Sequence, residues 1–336
     1  TLNGAYNYSE RTALNQLTIH RDFYDLSGGG RQLSSTTDQD NYLPNVQRSH
    51  SWRAGLDYNL ATRTTIGAVV SGLDNRLVAD GTNLTVLRDR QRGDVQTYNS
   101  TNYRTGHSPN AAANLNLRHA FADTLGKREL TLDLDYAGYR LSRNQLLQTF
   151  QVGEPMTSSS NDQRGRLAIQ SAKLDYSHPL SKQLGLEMGV KASLVTADND
   201  LRFYTDGQLN LGRSNRFRYD ENINAGYLSV SYNRPRLTLQ AGLRGEQTNA
   251  LGRQDRELEY PDFTRHYFQL FPSASIKRTI SEKHELSVAL SRRIDRPSYS
   301  QLNPFREIID KTTFGSGNPS LLPQTSYNLD LTHTFR

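Results

Sequence analysis

The sequence predicts an all-β fold, an antiparallel sheet of transmembrane β-barrel type with about thirteen strands, and three observations carry that prediction. Apolar and polar residues alternate with a period of two. The alternating runs are joined in turn by very short and very long polar connections. Aromatic residues stand just before the short ones.

Composition agrees. Only 35% of the 336 residues are hydrophobic and mean hydropathy is −0.72, low for a chain that buries an ordinary core, yet 18 Tyr and 11 Phe are spread evenly along it. Strands with a single apolar face reconcile the two facts. With no cysteine there is neither a disulfide framework nor a thiolate metal site. The net charge of +6 comes without a basic run, since Lys and Arg are interleaved with Asp and Glu, so no nucleic-acid partner is expected. No run approaches the ~18 apolar residues of a transmembrane helix, which excludes a helical membrane protein and leaves a barrel open. The first residues, TLNGAYNYSE, show neither a basic nor an apolar leader segment.

Taken in order, strands are expected over 1–8, 13–23, 47–60, 64–76, 106–121, 128–142, 164–179, 184–200, 217–232, 237–249, 264–279, 284–296 and 323–335. The clearest is RELTLDLDY, with Leu130, Leu132, Leu134 and Tyr136 opposite Glu129, Thr131, Asp133 and Asp135. In QLGLEMGVKASL the apolar set Leu184, Leu186, Met188, Val190, Ala192 and Leu194 faces away from Glu187 and Lys191. RLTLQAGLRGE separates Leu237, Leu239, Ala241 and Leu243 from Arg244 and Glu246, and HELSVAL offers Leu286, Val288 and Leu290.

The short connections are SERT (9–12), ATR (61–63), ADTLGK (122–127), LSKQ (180–183), NRPR (233–236) and ISEK (280–283). Long polar loops are expected over 25–46, 77–100, 146–163, 200–216, 250–263 and 303–322. Short turns on one side and long loops on the other is the layout of outer-membrane barrels, with periplasmic turns and extracellular loops. Tyr8, Tyr58, Phe121, Tyr176 and Tyr232 precede the short turns and read as one interfacial girdle, the ring in lipid and its polar edge wet. Thirteen is odd, whereas closed bacterial barrels have an even count. Residues 1–336 are therefore expected to form a single barrel domain truncated at both ends and lacking a plug.

No catalytic or metal constellation is visible: the eight histidines are scattered, and neither HExxH nor GxSxG occurs. No cofactor is expected and the chain does not read as an enzyme. Gly28, Gly29 and Gly30 read as a loop tip, since no phosphate-loop lysine follows. The charges expected to point into the lumen are Arg53, Asp57, Arg118, Asp133, Asp135, Glu187, Lys191, Arg244 and Glu246. They serve either a polar substrate path or plain cross-strand pairing along a wet wall.

One region carries a specific resemblance. YFQLFPSASIKRTISEKHELSVALSRRIDRPSYSQLNPF (267–305) and GSGNPSLLPQTSYNLDL (315–331) resemble the barrel of TonB-dependent receptors, in particular the outer-membrane β-barrel family abundant in Bacteroidetes. Its rim motif falls here on Arg293, Arg296, Pro297, Asn303, Pro304, Phe305, Gly317, Asn318 and Pro319. The resemblance implies a barrel of about 22 strands in the outer membrane of a Gram-negative bacterium. It implies outer-membrane lipid as surroundings, a plug domain and an inner-membrane energy-coupling complex as partners of the parent protein, and a surface lipoprotein as a further candidate partner. The function it implies is porin-like, gated uptake of a siderophore, glycan, peptide or vitamin. A surface barrel with a structural or adhesive role, and a soluble carbohydrate-binding or hydrolytic β-protein, are the rivals. In the stretch SRRIDRPSYSQLNPF, alternation assigns Arg293 to the lumen and Arg292 to the lipid side. The prolines then mark a strand leaving the sheet for an extracellular loop.

Overall fold

The computed structural model describes residues 1–25, 30–90, 92–122, 125–126, 128–255, 262–304, 307–310 and 313–335. Nearly all of them are strand. The elements are β1 (Leu2–Asp25), β2 (Gln32–Ala61), β3 (Thr64–Asp89), β4 (Asp94–His107), β5 (Asn110–Ala120), β6 (Glu129–Gln151), β7 (Thr157–Pro179), β8 (Leu184–Thr205) and β9 (Gln208–Leu209). They continue with β10 (Asn215–Arg234), β11 (Leu237–Gln254), β12 (Phe263–Thr279), β13 (His284–Asp295), α1 (Tyr299–Leu302), β14 (Glu307–Asp310), β15 (Thr313–Gly315) and β16 (Gln324–Phe335).

Fourteen of these strands form one sheet, twelve of them in the order β1-β2-β3-β4-β6-β7-β8-β10-β11-β12-β13-β16, with β5 beside β3 and β6 and β9 beside β8, and every neighbour pair is antiparallel. β4 and β5 share one lane between β3 and β6 and are separated only at Ser108-Pro109, where proline has no N–H for the ladder. Among the described residues β1 pairs only with β2 and β16 only with β13.

The strand bottoms fall where alternation puts them, but the tops run much further. The predicted loops 25–46, 77–100 and 146–163 are mostly paired strand in the β1–β2, β3–β4 and β6–β7 hairpins. Their Ser, Thr, Asn and Asp residues hide the pattern, because above the lipid polar side chains serve on both faces of the ladder. At the top of β8 the chain reverses through Asp206 (φ 48°) and Gly207 (φ 77°), a pair that meets the positive-φ demand of a type I′ turn.

SERT is not a turn. Ser9, Glu10, Arg11 and Thr12 lie mid-strand in β1, paired with Ser49, Arg48, Gln47 and Val46 of β2. The predicted runs 1–8 and 13–23 are thus one strand, and the odd count disappears with the correction.

Following the register across the sheet assigns each side chain to a face. Leu56, Leu115, Leu134, Val190, Leu228, Leu243, Leu290 and Leu329 share one face, with Val190 57%, Leu243 50% and Leu329 71% exposed. The opposite face is polar and enclosed: Thr37 is 1%, Gln39 1%, Glu246 8% and Thr248 0% exposed. A soluble protein buries the first set and wets the second. This inversion is what a lipid-facing wall with a hydrated interior requires.

Rings bound the apolar band at both ends. Tyr58, Phe121, Tyr176 and Tyr232 lie within a few residues of the short turns, and Arg128 sits over Phe121 at 4.9 Å while donating to the Tyr176 hydroxyl at 2.7 Å. Tyr8 does not join them. It pairs with His50 well above the β2–β3 turn, its ring 4.9 Å from the imidazole, and it lies on the apolar face with Tyr6 and Trp52. Tyr136, Phe268 and Tyr327 occupy comparable places on β6, β12 and β16, forming a second belt. From Phe335 to Tyr327 the strand covers about 26 Å at ~3.3 Å per residue, which a tilt of ~40° reduces to about 20 Å of membrane height.

Candidate functional site

Between β13 and β16 the described residues 296–304 and 315–321 do not rise away from the rim. They turn onto the polar face, and sequence cues explain the turn. Pro297 cannot donate to a ladder, and Ser298 begins α1 with a capping box, its hydroxyl accepting from the Gln301 N–H while the Gln301 side chain accepts from the Ser298 N–H. The helix buries Leu302 to 2% exposure against Ala197, Phe217, Tyr219 and Ala250, all on the polar face, with Leu167, Phe263 and Tyr299 around them. These apolar residues break the polar pattern only near the strand tops, where the segment covers them. Burial pushes the Tyr219 phenol up, and the Glu221 carboxylate that accepts its proton at 2.8 Å adds to the shift.

Four further side-chain hydrogen bonds fix the segment. Arg296 donates to Glu246 at 2.6 Å, to the Thr248 hydroxyl at 3.1 Å and to the Tyr267 hydroxyl at 3.2 Å. Arg244 donates to the other Glu246 oxygen at 2.5 Å, so that carboxylate is held between two guanidinium groups. Arg265 donates to the Pro319 carbonyl at 2.6 Å. The segment then crosses itself: the N–H groups of Gly317 and Asn318 donate to the carbonyls of Asn303 and Gln301 at 2.9 and 2.7 Å. A Cβ on Gly317 would stand 2.4 Å from the Asn303 oxygen, so only glycine permits the crossing.

Between this segment and the wall lies a cavity of about 540 Å³. Its wall side is Arg143, Gln145, Asn161, Gln163 and Asn199, and its segment side is Gln301, Asn303, Gly317 and Asn318. The amides are chained, Gln145 donating to Asn102 at 3.0 Å and Asn161 to Gln145 at 3.3 Å. Such a lining offers donors and acceptors with little net charge and suits a neutral, hydroxyl-rich or amide-rich solute. Among the described residues no group of His, Asp and Glu has the geometry of a metal site.

The register puts Arg53, Asp57, Arg118, Asp133, Asp135, Glu187, Lys191, Arg244 and Glu246 all on the polar face. It does not gather them. Arg118 bonds Glu129 at 2.5 Å, Asp135 accepts from Asn114 at 2.7 Å, and the Thr1 hydroxyl donates to Asp57 at 3.0 Å, each a local pair along the wall. Of these, Glu246 reaches the folded segment through Arg296, with Arg244 on its other oxygen. Of the rim motif, Arg296, Pro297, Asn303, Gly317, Asn318 and Pro319 build that segment, Arg293 stays on the inner face of β13 opposite Ser326, and Pro304 follows Asn303. Phe305 lies outside the described residues. Sequence reasoning missed the amide cavity, whose Asn and Gln come from four separate stretches. The one available signal was the capping box SYSQ inside a proline-rich run.

Arg292 emerges on the lipid side, eight residues above the start of β13. Its guanidinium lies 5.7 Å from the Phe271 ring centroid and 5.9 Å from that of Tyr327, donating to the Leu270 carbonyl at 2.7 Å. Phe271 belongs to the inner face and Tyr327 to the belt, so the side chain tucks in where the β12–β13 ladder ends at Ser273 and Ser291.

Comparison with known proteins follows this geometry. Residues 119–336, about two thirds of the chain, match the family described as "Outer membrane protein beta-barrel family". No curated protein sequence matches the chain. Among solved structures it is similar to the ferric yersiniabactin uptake receptor FyuA from Yersinia pestis, with 10% identity, 90% of this chain and 50% of that one covered, and a TM-score of 0.47. It is similar to the ferric citrate transporter FecA at 11% identity, with 85% and 44% covered and a TM-score of 0.42. The translocator domain of autotransporter NalP from Neisseria meningitidis aligns at 14% identity, with 84% and 81% covered and a TM-score of 0.28. The chain thus spans about half the length of the FyuA receptor structure it matches.

Proposed function

This chain belongs to the outer membrane protein beta-barrel family and resides in the outer membrane, and from that premise we propose that it is wall and inner gate of a transport barrel of TonB-dependent receptor type. The observation that carries the reading is residues 296–304 and 315–321, folded onto the polar face and enclosing an amide-lined cavity near the strand tops. A wall that only needed to be stable has no use for a glycine-dependent crossing clamped by Arg296 and Arg265. A gate does, because it must be held by a few separable contacts. Solute would enter from the long hairpins, exchange its water for the amides of Gln145, Asn161, Gln163 and Asn199, and pass when the segment lifts. No covalent chemistry is involved. In the full-length protein a plug domain and an inner-membrane energy-coupling complex would drive the lifting.

The test is solute flux into vesicles carrying the full-length protein, read by swelling with neutral sugars of increasing size. Arg296→Ala is expected to raise flux and enlarge the size limit. If both wild type and Arg296→Ala stay impermeable while migrating as folded, heat-modifiable barrels, the chain is a non-transporting structural or adhesive wall.

A further inference from the structure

The outer wall carries a second feature, independent of the gate. Just above the upper aromatic belt, cross-strand register lines up Arg140 of β6, Arg166 of β7, Asp198 of β8, Arg218 of β10 and Arg253 of β11 in one row on the lipid-side face. Arg140 stands directly opposite Arg166, and Arg218 directly opposite Arg253. Like charges so placed repel, and the row's single acid relieves Arg166 and Arg218 only at longer range, because both Asp198 oxygens are bonded to Arg216 at 2.7 and 2.5 Å. Arg218 and Arg253 find Asp255 and Asp220 at 3.5 and 3.2 Å. Arg140 and Arg166 have no carboxylate within ion-pair distance among the described residues, and both are exposed.

Below this pair the wall carries small residues. Ala111, Gly138 and Ala168 are consecutive cross-strand partners, and the Tyr136 ring rises from the belt over Gly138, its hydroxyl 3.1 Å from where a Cβ would stand. The result is a groove of about 710 Å³ with a floor of small residues, an aromatic lower lip and an upper lip where Arg140, Arg166, Arg218 and Arg253 outnumber Asp198 and Asp220. Gly138 lies eight residues above Leu130, the first apolar residue of β6, so the groove opens where acyl chains give way to headgroups.

The geometry points to a binding site for the phosphorylated headgroup of an outer-leaflet glycolipid. Its sugar lies on the small-residue floor, and its phosphate bridges Arg140 and Arg166. One anion between two forks turns their repulsion into paired, charge-assisted hydrogen bonds.

The full chain in detergent is titrated with diphosphoryl lipid A, with the same lipid lacking its phosphates, and with inorganic phosphate. Bound lipid is read by native mass spectrometry, and stability by the thermal midpoint. Diphosphoryl lipid A is expected to bind on the order of tenfold more tightly than the phosphate-free lipid, and Arg140→Gln/Arg166→Gln to abolish that preference. The single variant Arg140→Gln adds a readout that a merely structural arginine would not give. Without lipid it leaves the midpoint unchanged or raises it, by relieving repulsion; with diphosphoryl lipid A its midpoint falls below wild type. Arg48→Gln, in a row shared with Glu10, leaves lipid binding unaltered. Equal binding of the two lipids, or an undiminished preference in the double variant, overturns the proposal. A midpoint rise with inorganic phosphate equal to that with the lipid overturns the lipid as the source of the anion.

Discussion

Replacing Gly317 with alanine should release the folded segment from the wall. The new Cβ would lie 2.4 Å from the Asn303 oxygen and 2.5 Å from the Gln301 oxygen, both backbone atoms that no rotamer change can move. Restoring ordinary contact requires about 1 Å of backbone displacement, enough to break both hydrogen bonds at the crossing. Losing them costs ~0.5–1.5 kcal/mol each and the residual overpacking ~1–3 kcal/mol. A total of about 2–6 kcal/mol raises the lifted fraction by roughly 30-fold to 10,000-fold or more. Because the protein has no cysteine, an Ala197→Cys reporter can be read without background. Ala197 is 6% exposed beneath Leu302, so a thiol reagent reaches it only when the segment lifts. Gly315→Ala is the control, since a Cβ there meets nothing within 4 Å. Faster labelling with Gly317→Ala and an unchanged rate with Gly315→Ala is the expected result. Equal rates in all three proteins would refute the crossing as the clasp.

Other outcomes test the remaining parts of the architecture. Val190→Arg, at the middle of the apolar band, should cost ~2–4 kcal/mol by urea unfolding in vesicles, whereas Lys191→Gln one residue along should be near neutral; a tolerated Val190→Arg would remove the lipid-facing assignment. Arg296→Met strands one Glu246 oxygen in a nearly buried site and should destabilise segment docking by about 1–3 kcal/mol, much of it recovered by adding Glu246→Gln in a double-mutant cycle. The β1–β2 hairpin tip should respond to pH through His20, which bonds Asp38 at 2.5 Å and Asp22 at 3.2 Å, with Arg88 also on Asp38. The bond to Asp38 holds the His20 imidazole above its ordinary range, and His20 and then Arg88 hold Asp38 below its own. The His20 contribution is therefore complete below ~6.5 and fades as pH rises through the raised value, while that of Asp38 fades only in acid. Hydrogen exchange at the tip, corrected for intrinsic rate, should quicken a few-fold between mildly acidic and mildly alkaline pH, and His20→Gln should flatten the response.

The lower half of the wall was legible because lipid imposes a rule on sequence: every second residue must be apolar. Leu130, Leu132 and Leu134, or Leu286, Val288 and Leu290, can be read directly, and the face of Arg244 and Glu246 follows by alternation alone. The bottoms of the strands were legible for the same reason, since the pattern stops at the turn. Above the upper belt the rule lapses. Both faces of the hairpins from 32 to 45 and from 157 to 163 are mostly polar, the enclosed Thr37 and Gln39 included, and polar strands look like loops. SERT looked like a turn because Ser, Glu, Arg and Thr are surface residues, and mid-strand β1 is surface.

What the sequence by itself determined is the inverted two-faced sheet, its antiparallel order and its polar interior, all consequences of period-two chemistry along one chain. What only the tertiary structure decided is where non-neighbouring strands bring their polar residues. The amide cavity needs β6, β7 and β8 under a segment that follows β13, and the clamp on Glu246 needs Arg296 from some fifty residues later. The row from Arg140 to Arg253 exists only because hydrogen-bond register aligns five strands. Alternation fixes the face of a residue; register and loop path fix its company, and those depend on backbone pairing that no single stretch encodes.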